Sequence, residues 1–297
     1  MNLFDVLDPQ TVQAAKQGSV RQYDPWTDSS QRLQQAADAQ WGRQLQRSVM
    51  PEVRQIGDFL AAQNPAINEA IGMAGAIDIW GHPAQYTHRL LPHIKEMLRG
   101  YKPVIDPFGG AGARLRQAIP DAIPSDLQLE YIRRGLADTP GMGLVANALH
   151  LPYKTGSVPA AVASPTYGNM LARKGRFGRP GGKTPWAYED TLSAPMHPDN
   201  SGRMWWGPKY RDLHERAWPE LFRVLQPQGR FVLNIKDFIK GGKQIPVSEW
   251  QREAAERAGF RYLDKIEVPV PGHKSQFTAG EGKVIPYENL YLLEKPK

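Results

Sequence analysis

The residues of this sequence that could do chemistry fall into two short segments, each after an apolar run. The first is Asp106-Pro-Phe-Gly-Gly-Ala-Gly112, and the second is Ser164-Pro-Thr-Tyr167. Glycines let the backbone approach a ligand closely, because a side chain in that position would clash. A small polar residue, a proline and an aromatic ring after a strand are typical of an ordinary exit into a turn. The same residue types also suit a pocket that grips a flat, nitrogen-bearing ring.

The composition indicates one large domain, or one domain with an appendage. The chain has 297 residues, of which 41% are apolar, and this is enough for a substantial core. No apolar run approaches the length of a membrane span, and the N-terminus carries acids where a secretory signal has basic residues. The sequence contains no cysteine, which excludes disulfides, thiolate zinc sites and cysteine nucleophiles. We therefore expect a cytoplasmic protein with no membrane partner.

The charge of the chain points towards a polyanion. The formal net charge is +7, and a basic excess favours nucleic acid because neutralising phosphates releases counterions. From Ser164 to Tyr188 there is no Asp or Glu. Five basic residues lie in that stretch, namely Arg173, Lys174, Arg176, Arg179 and Lys183. We predict that they contact the phosphates of a nucleic acid, positioning it without reading its sequence.

Residues 1–78 are predicted to form a polar, mostly helical appendage, and residues 79–297 the main domain, with a basic loop at 168–208. In the main domain, strand-like apolar runs alternate with segments of helical periodicity. We expect strands at 103–105, 122–125, 144–145, 159–163, 230–235, 261–268 and 289–293. We expect helices at 129–136, 210–225 and 247–258, with Pro219 as a breaker and a Pro-Gln-Gly turn before the strand at 230–235. This alternation predicts an α/β fold, with a mostly parallel sheet, an antiparallel edge and helices on both faces.

The glycine-rich segment indicates a nucleotide-type ligand lying across the carboxyl ends of the parallel strands. Asp126 follows Asp106 at the spacing that lets a carboxylate accept ribose hydroxyls. A carboxylate at the glycine turn obstructs an anionic pyrophosphate but favours a ligand with a positive centre, such as a sulfonium. The residues therefore favour a sulfonium cofactor over a dinucleotide.

The stretch VIDPFGGAG resembles the cofactor loop of S-adenosylmethionine-dependent methyltransferases, especially those that methylate amino groups of nucleic-acid bases. The resemblance implies the Rossmann-like class I methyltransferase fold and S-adenosylmethionine as cofactor, with Asp126 on the ribose and Asn147-Ala148 beside the adenine. GHPAQYTHRLLPHI resembles the family's HPA-x-[FY]-P segment, with Thr87 replacing its proline, and this implies that His82 and Tyr86 help to hold the methionine end. His82 suits a turn equally well. The cofactor residues implied are Asp106, Pro107, Phe108, Gly109, Gly110, Gly112, Asp126, Asn147, Ala148, His82 and Tyr86.

The second segment resembles the family's catalytic motif, [Asp, Asn or Ser]-Pro-Pro-[Tyr, Phe or Trp], with Thr166 in place of the second proline. The resemblance implies that Ser164 Oγ and the Pro165 carbonyl accept the two hydrogens of an exocyclic amino group. The lone pair of that nitrogen is otherwise delocalised into the ring, and these hydrogen bonds aim it at the methyl group. Tyr167 would stack on a base flipped out of the duplex. A serine at the first position favours cytosine N4 over adenine N6.

A more specific resemblance is to the short DNA methylases of bacteriophages and prophages, which share SPTYGN and the HPDNSG run at 197–202. DNA is therefore the expected partner. An RNA base methyltransferase is one alternative, and a cofactor-binding nucleic-acid protein that has lost catalysis, with Thr166 as the lesion, is another. Target reading falls to the loop at 171–208 or to the N-terminal helices, or else selectivity is low.

Several further polar and aromatic residues are open to two interpretations. Asn234, Lys236 and Asp237 follow the strand at 230–235, where they either line the base pocket or cap a turn and a helix. Four aromatic residues either stack on nucleic acid or pack a loop over the site, namely Trp186, Tyr188, Trp205 and Trp206. His197, Asp199 and His214 do not have the spacing of a metal site, and we expect no metal.

Overall fold

The computed structural model describes residues 86–139, 141–168, 196–270 and 285–297. The appendage predicted at 1–78 and most of the loop predicted at 168–208 lie outside the described residues. The chain first forms α1 (Leu90–Met97), β1 (Val104–Asp106), α2 (Ala113–Ala118), β2 (Ala122–Asp126), α3 (Leu129–Asp138), β3 (Leu144–Val145) and β4 (Val158–Ala163). A short 3-10 helix (Ser201–Arg203) precedes α4 (Pro208–Val224), β5 (Leu225–Ile235), β6 (Phe238–Lys240), β7 (Lys243–Ile245), α5 (Val247–Arg257), β8 (Arg261–Pro269) and β9 (Tyr287–Glu294). Among these helices, none is long and apolar enough to cross a membrane.

Within the described residues, seven strands form one sheet in the order β3-β2-β1-β4-β5-β9-β8. Strands β1 to β5 pair in parallel, whereas β9 runs antiparallel to both of its neighbours, β5 and β8. The predicted mostly parallel sheet is confirmed, and its antiparallel strand is second from the edge. Strands β6 and β7 form a separate hairpin that the sequence did not predict.

The central pair of strands, β1 and β4, determines where a ligand can bind. Val104 and Ile105 pair in parallel with Ala160 and Ala161. After β1 the chain continues outward through β2 and β3, and it then returns to the other side of β1 as β4. Ligands of open α/β sheets bind at such a reversal, outside the carboxyl ends of the strands. Both segments singled out in the sequence begin there, because Asp106 ends β1 and Ser164 follows β4.

Helices cover both faces of the sheet, as predicted. On one face, Leu90 and Ile94 of α1 share a buried cluster with Val162 of β4. On the other face, Trp218 of α4 packs on Phe231 of β5, with ring centroids 5.3 Å apart. The central strands are therefore buried on both faces, which is why they read as continuous apolar runs.

Two predictions about the segment between α4 and β5 were wrong. Pro219 lies inside α4 and does not end it. Proline removes the N–H that would bond the Glu215 carbonyl, but both residues are exposed, so water can satisfy that carbonyl. The Pro-Gln-Gly stretch is an irregularity within β5 and not a turn before it. Gln228 takes a left-handed conformation, with φ 64°, and the pairing of β4 with β5 shifts register between Val158 and Ala160.

Gly135 of α3 lies so close to the loop after β1 that a side chain does not fit. A Cβ on Gly135 would be 1.7 Å from the carbonyl oxygen of Ala111. Alanine normally stabilises a helix interior by about 1 kcal/mol relative to glycine, so the sign should reverse here. We expect Gly135→Ala to lower the free energy of unfolding by roughly 1–3 kcal/mol, measured by urea denaturation. The exposed Gln117→Ala in α2 is the control and should change it by less than about 0.5 kcal/mol. A stabilised Gly135→Ala protein would contradict this close contact.

Candidate functional site

A pocket of about 520 Å³, open to solvent, lies at the carboxyl ends of the central strands. The predicted segments contribute Pro107, Phe108, Asp126, Leu127, Ala146, Asn147, Ala148, Ser164 and Thr166 to its lining. Four further lining residues were not predicted, namely Asp199, Asn200, Ser201 and Leu213. The structure thus brings parts of the predicted cofactor set and of the predicted catalytic segment into one pocket.

Asp106 is a fully buried carboxylate at the end of β1. Its Oδ2 accepts a hydrogen bond from the Tyr86 hydroxyl at 2.8 Å, and its Oδ1 accepts one from the backbone N–H of Phe108 at 3.0 Å. Burial raises the pKa of Asp106 to about 7, although these hydrogen bonds oppose the rise. The carboxylate therefore carries a desolvation cost that a nearby cation would offset.

Asp126, at the end of β2, is a second buried carboxylate, and unlike Asp106 it lines the pocket. Its Oδ1 accepts a hydrogen bond from the backbone N–H of Gln128 at 2.8 Å. Burial raises the pKa of Asp126 to about 6, against the backbone hydrogen bonds that it accepts. The charge on Asp126 also raises the pKa of Asp106. The two acids therefore make this end of the sheet electronegative once both are ionised.

The glycines after Asp106 are required by packing inside the protein, which the sequence analysis did not anticipate. A Cβ on Gly109 would lie 2.6 Å from Cβ of Pro124, and one on Gly112 would lie 2.4 Å from the same atom. Gly112 also has φ 65°, a left-handed conformation. The close approach that we assigned to a ligand is, for these two residues, an approach to β2.

Asn147 and Ala148 line the pocket between β3 and β4. The Oδ1 of Asn147 accepts a hydrogen bond from the backbone N–H of Leu149 at 2.9 Å, so this oxygen stabilises the turn. Its Nδ2 is the part of the amide that is suited to donate to a ligand.

The segment after β4 is anchored from α4 and from the residues before it. The hydroxyl of Tyr210 donates to the Thr166 carbonyl at 2.5 Å, and the backbone N–H of Trp206 donates to the Gly168 carbonyl at 2.9 Å. The Thr166 hydroxyl donates to Ser201 Oγ at 3.1 Å. A proline at this position has no hydroxyl, so Thr166 makes a contact to the 3-10 helix that the family pattern lacks.

One face of α4 connects this segment with the loop after β1. Tyr210, His214 and Trp218 recur at intervals of four residues, and Phe108 stacks on His214 with centroids 5.4 Å apart. Burial lowers the pKa of His214 to about 4, so its imidazole is neutral near pH 7. The helical spacing of these three residues was the signal in the sequence that could have identified this face.

Ser164 and Tyr167 are joined through two residues from other strands. Ser164 Oγ donates to Asn234 Oδ1 at 2.8 Å, and Asn234 Nδ2 lies 3.3 Å from Glu288 Oε2. The Tyr167 hydroxyl also donates to Glu288 Oε2, at 3.3 Å. Asn234 therefore contacts Ser164, while its place in a base pocket stays a prediction. Glu288 was not predicted, because no local pattern marks it.

Asp237 caps a helix, which is the second of the two interpretations given for it. Its carboxylate accepts hydrogen bonds from the backbone N–H of Ser248 at 2.8 Å and from Gln244 Nε2 at 2.6 Å. It therefore caps the start of α5 and holds the β6–β7 hairpin. Lys236 is half-buried, and burial lowers its pKa while Glu288 raises it.

Several predicted site residues lie outside the described residues, namely His82, Arg173, Lys174, Arg176, Arg179, Lys183, Trp186 and Tyr188. Trp206 packs against Tyr210 and Trp250, with centroids 5.6 and 5.4 Å away. Packing is thus the observed role of Trp206, whereas Trp205 lies 5.2 Å from Lys240 Nζ. No group of three or more His, Asp or Glu side chains within the described ranges could hold a metal ion.

No protein-family model and no curated protein matches this sequence. Solved structures with a similar arrangement include an S-adenosylmethionine-dependent methyltransferase from Methanosarcina mazei, at 13% identity and a TM-score of 0.43, over 69% of this chain and 97% of that chain. A cyclase is similar at 15% identity and a TM-score of 0.42, over 73% of this chain and 85% of that chain. A Thermus thermophilus protein assigned as a DNA modification methylase has 21% identity and a TM-score of 0.29, over 48% of this chain and 47% of that chain.

These likenesses concern the fold and not the reaction, since one such fold supports different chemistries. The class rests on the sheet itself: a parallel β3-β2-β1-β4-β5 core extended by an antiparallel β9 and by β8. This is the Rossmann-like fold, with a mostly parallel sheet and an antiparallel strand, that the sequence predicted.

The raised pKa of Asp106 has a consequence for stability. As pH rises from about 4 towards 7, the unfolded chain releases this proton before the folded one does, so the native protein loses stability. We expect the free energy of unfolding of Asp106→Asn, relative to the native protein, to increase by at least about 1 kcal/mol between pH 4 and pH 7, the value of a single pKa unit. Thermal and urea unfolding between pH 4 and 8 would measure it. The control, Asp121→Asn, removes an exposed carboxylate that pairs with Lys102, and it should change the free energy of unfolding by less than about 1 kcal/mol. A pH-independent difference for Asp106→Asn would contradict the raised pKa.

Proposed function

We propose that this protein transfers a methyl group from S-adenosylmethionine to an exocyclic amino nitrogen of a DNA base, cytosine N4 in preference to adenine N6. The observation that carries the proposal is that Ser164 and Thr166 line the same pocket as Pro107, Asp126 and Asn147. A residue set typical of the cofactor and a motif typical of the methylated amino group thus share one pocket. Because the two segments are far apart in the chain, a chance meeting in one pocket is a weak explanation.

The donor set of the pocket fits S-adenosylmethionine. The Asp126 carboxylate is suited to accept the ribose hydroxyls, and Asn147 Nδ2 to meet the adenine. Asp106 is buried with a raised pKa, and a positive sulfur nearby favours its charged form. When bound, S-adenosylmethionine supplies an electrophilic methyl group on that sulfur.

Ser164 and Pro165 act on the amino group in this proposal. Ser164 directs its own proton to Asn234, which leaves the lone pairs of Oγ to accept a hydrogen from the substrate. The Pro165 carbonyl is the second acceptor, and together they favour a pyramidal nitrogen aimed at the methyl group. Tyr167 supplies a stacking surface for the flipped base, and such stacking contributes about 1–3 kcal/mol per base. The remaining effect is the positioning of nitrogen and methyl.

Two other functions compete with this one. A base in RNA presents the same amino groups, and the basic excess suits either polymer. A cofactor-binding protein without catalysis is the alternative in which Thr166 is a lesion. The hydrogen bonds that Thr166 makes with Tyr210 and Ser201 favour an ordered and functional segment over a damaged one.

Substitutions in the segment after β4 separate catalysis from cofactor binding. We expect Ser164→Ala to lower turnover roughly 10²-fold or more, in the range found for the loss of one positioned hydrogen-bonding group. Tyr167→Ala should lower it roughly 5- to 100-fold, which corresponds to the 1–3 kcal/mol of stacking on one base. The Kd for S-adenosylmethionine should be nearly unchanged in both variants. Labelled cofactor with DNA or RNA measures turnover, calorimetry measures the Kd, and mass spectrometry of nucleosides identifies the methylated base.

Ser157→Ala is the matched control, because Ser157 lies at the other end of β4, where its hydroxyl donates to Lys154. It should leave turnover unchanged. If the protein binds the cofactor but transfers no label to DNA or RNA, both enzyme functions are wrong. Collapse of cofactor binding in Ser164→Ala would contradict the division of roles.

A second prediction concerns how the affinity for the cofactor depends on the ionisation of Asp106. Binding a sulfonium requires ionised Asp106, so below pH 7 binding must displace a proton, and affinity should fall by up to about tenfold per pH unit. S-adenosylhomocysteine, whose sulfur is neutral, lacks this dependence, and Asp126 acts equally on both ligands through the ribose. The ratio of the two Kd values between pH 5.5 and 8 should therefore change in the native protein and in Asp121→Asn, but not in Asp106→Asn. An unchanged ratio in the native protein would place the sulfur away from Asp106.

A further inference from the structure

Glu288 is a buried acid at the far end of a hydrogen-bond chain that begins at the proposed catalytic serine. The chain runs from Ser164 Oγ to Asn234 Oδ1, and from Asn234 Nδ2 to Glu288 Oε2. A second chain reaches the same oxygen from the Tyr167 hydroxyl. The carboxylate lies on β9, so this antiparallel strand contributes to a site otherwise built at the ends of β1, β2, β4 and β5.

The direction of these hydrogen bonds follows from the chemistry of a carboxylate. An ionised carboxylate has acceptors only, so Asn234 must turn its Nδ2 towards Glu288. The Asn289 carbonyl, 3.4 Å from the same Nδ2, favours the same orientation. Asn234 Oδ1 then faces Ser164 and accepts the hydrogen bond from its hydroxyl. The lone pairs of Ser164 Oγ are left for the substrate, which is the state that an amino-group acceptor needs.

A neutral residue at this position would not impose that direction. A protonated carboxyl or a glutamine can donate, which permits the Asn234 amide to turn over and to present Nδ2 to Ser164. The proton of Ser164 would then point at the substrate, where two N–H hydrogens already lie. The amino group would lose an acceptor and meet a competing donor.

Within the part of the chain that the structure describes, the charged and titratable groups that act on Glu288 are Tyr167, after β4, and Lys236, directly after β5. On β8, its partner in the sheet is the apolar Val268. Burial raises the pKa of Glu288, while Lys236, Asn234 and Tyr167 lower it, and the net direction is upward. The ionised form is therefore lost, as pH falls, at a higher pH than for an ordinary glutamate.

We propose that Glu288 is a positioning residue for methyl transfer, whose ionised carboxylate keeps Ser164 as an acceptor for the amino group and holds the Tyr167 hydroxyl. It supplies from another strand the negative charge that an aspartate would bring to the first position of the motif. The inference rests on the proposed function for its catalytic consequence, whereas the direction of the hydrogen bonds is independent of it.

The kinetic test compares Glu288→Gln with the matched control Glu294→Gln. Glutamine is nearly isosteric with glutamate but can donate. Glu294 lies on the same strand and pairs with Arg261 at 2.6 Å, at the other end of β9. We expect Glu288→Gln to lower kcat at least tenfold, with KM for the nucleic acid and Kd for S-adenosylmethionine within about threefold of the native values. The acid limb of the native kcat profile, with activity lost as pH falls, should be absent in Glu288→Gln and retained in Glu294→Gln.

A measurement without turnover keeps this inference separate from the proposed function. In protein labelled with ¹⁵N-asparagine, the side-chain NH₂ signals of Asn234, assigned through Asn234→Ala, should shift with pH at the pKa of Glu288 in the native protein and in Glu294→Gln. Native kcat and pH profile in Glu288→Gln would overturn the inference, as would Asn234 signals that do not shift between pH 4.5 and 8. If the native protein methylates no nucleic acid, the proposed function fails, and the signals alone decide the direction of the hydrogen bonds. If Glu288→Gln does not fold, the Asn234 signals still test the direction of the hydrogen bonds, because they are measured in the native protein.

Discussion

The parallel pairing of β1 with β4 is the constraint on which the site depends. Because the chain leaves β1 on one side and returns on the other, the carboxyl ends of these two strands are adjacent, and the loops that follow them diverge around a pocket. Asp106 and Ser164 are residues that end or follow these strands. Any change that displaced one strand along the other would separate the residues proposed to bind the cofactor from those proposed to bind the amino group.

The buried carboxylates at the ends of β1 and β2 carry a desolvation cost. Asp106 and Asp126 are both buried, and burial raises the pKa of each. Such a cost is common where a site is prepared for a charged ligand, since a preformed field needs no rearrangement when the ligand binds. Glu288 repeats the arrangement on the other side of Ser164. A tyrosine hydroxyl donates to two of these three carboxylates, Tyr86 to Asp106 and Tyr167 to Glu288.

Helix α4 and the glycines show how neighbouring elements support the two loops. Tyr210 holds the Thr166 carbonyl, while His214 of the same helical face stacks on Phe108. Gly109 and Gly112 allow their loop to contact Pro124 of β2. The departure of Thr166 from the family pattern thus has a local compensation, because its hydroxyl reaches Ser201.

The sequence by itself determined the strands of the seven-stranded sheet, the order of the two loops and the acid at Asp126, because an apolar run and the Gly or Pro that ends it are local patterns. Only the tertiary structure decided that Asn234 and Glu288 meet Ser164, since these residues are distant in the chain and are joined by the β4–β5–β9 pairing. It also decided that Pro219 lies within α4, where water can satisfy the exposed Glu215 carbonyl that lacks its helical hydrogen bond. Local patterns thus position the loops, while the hydrogen bonds that form between them depend on which strands become neighbours.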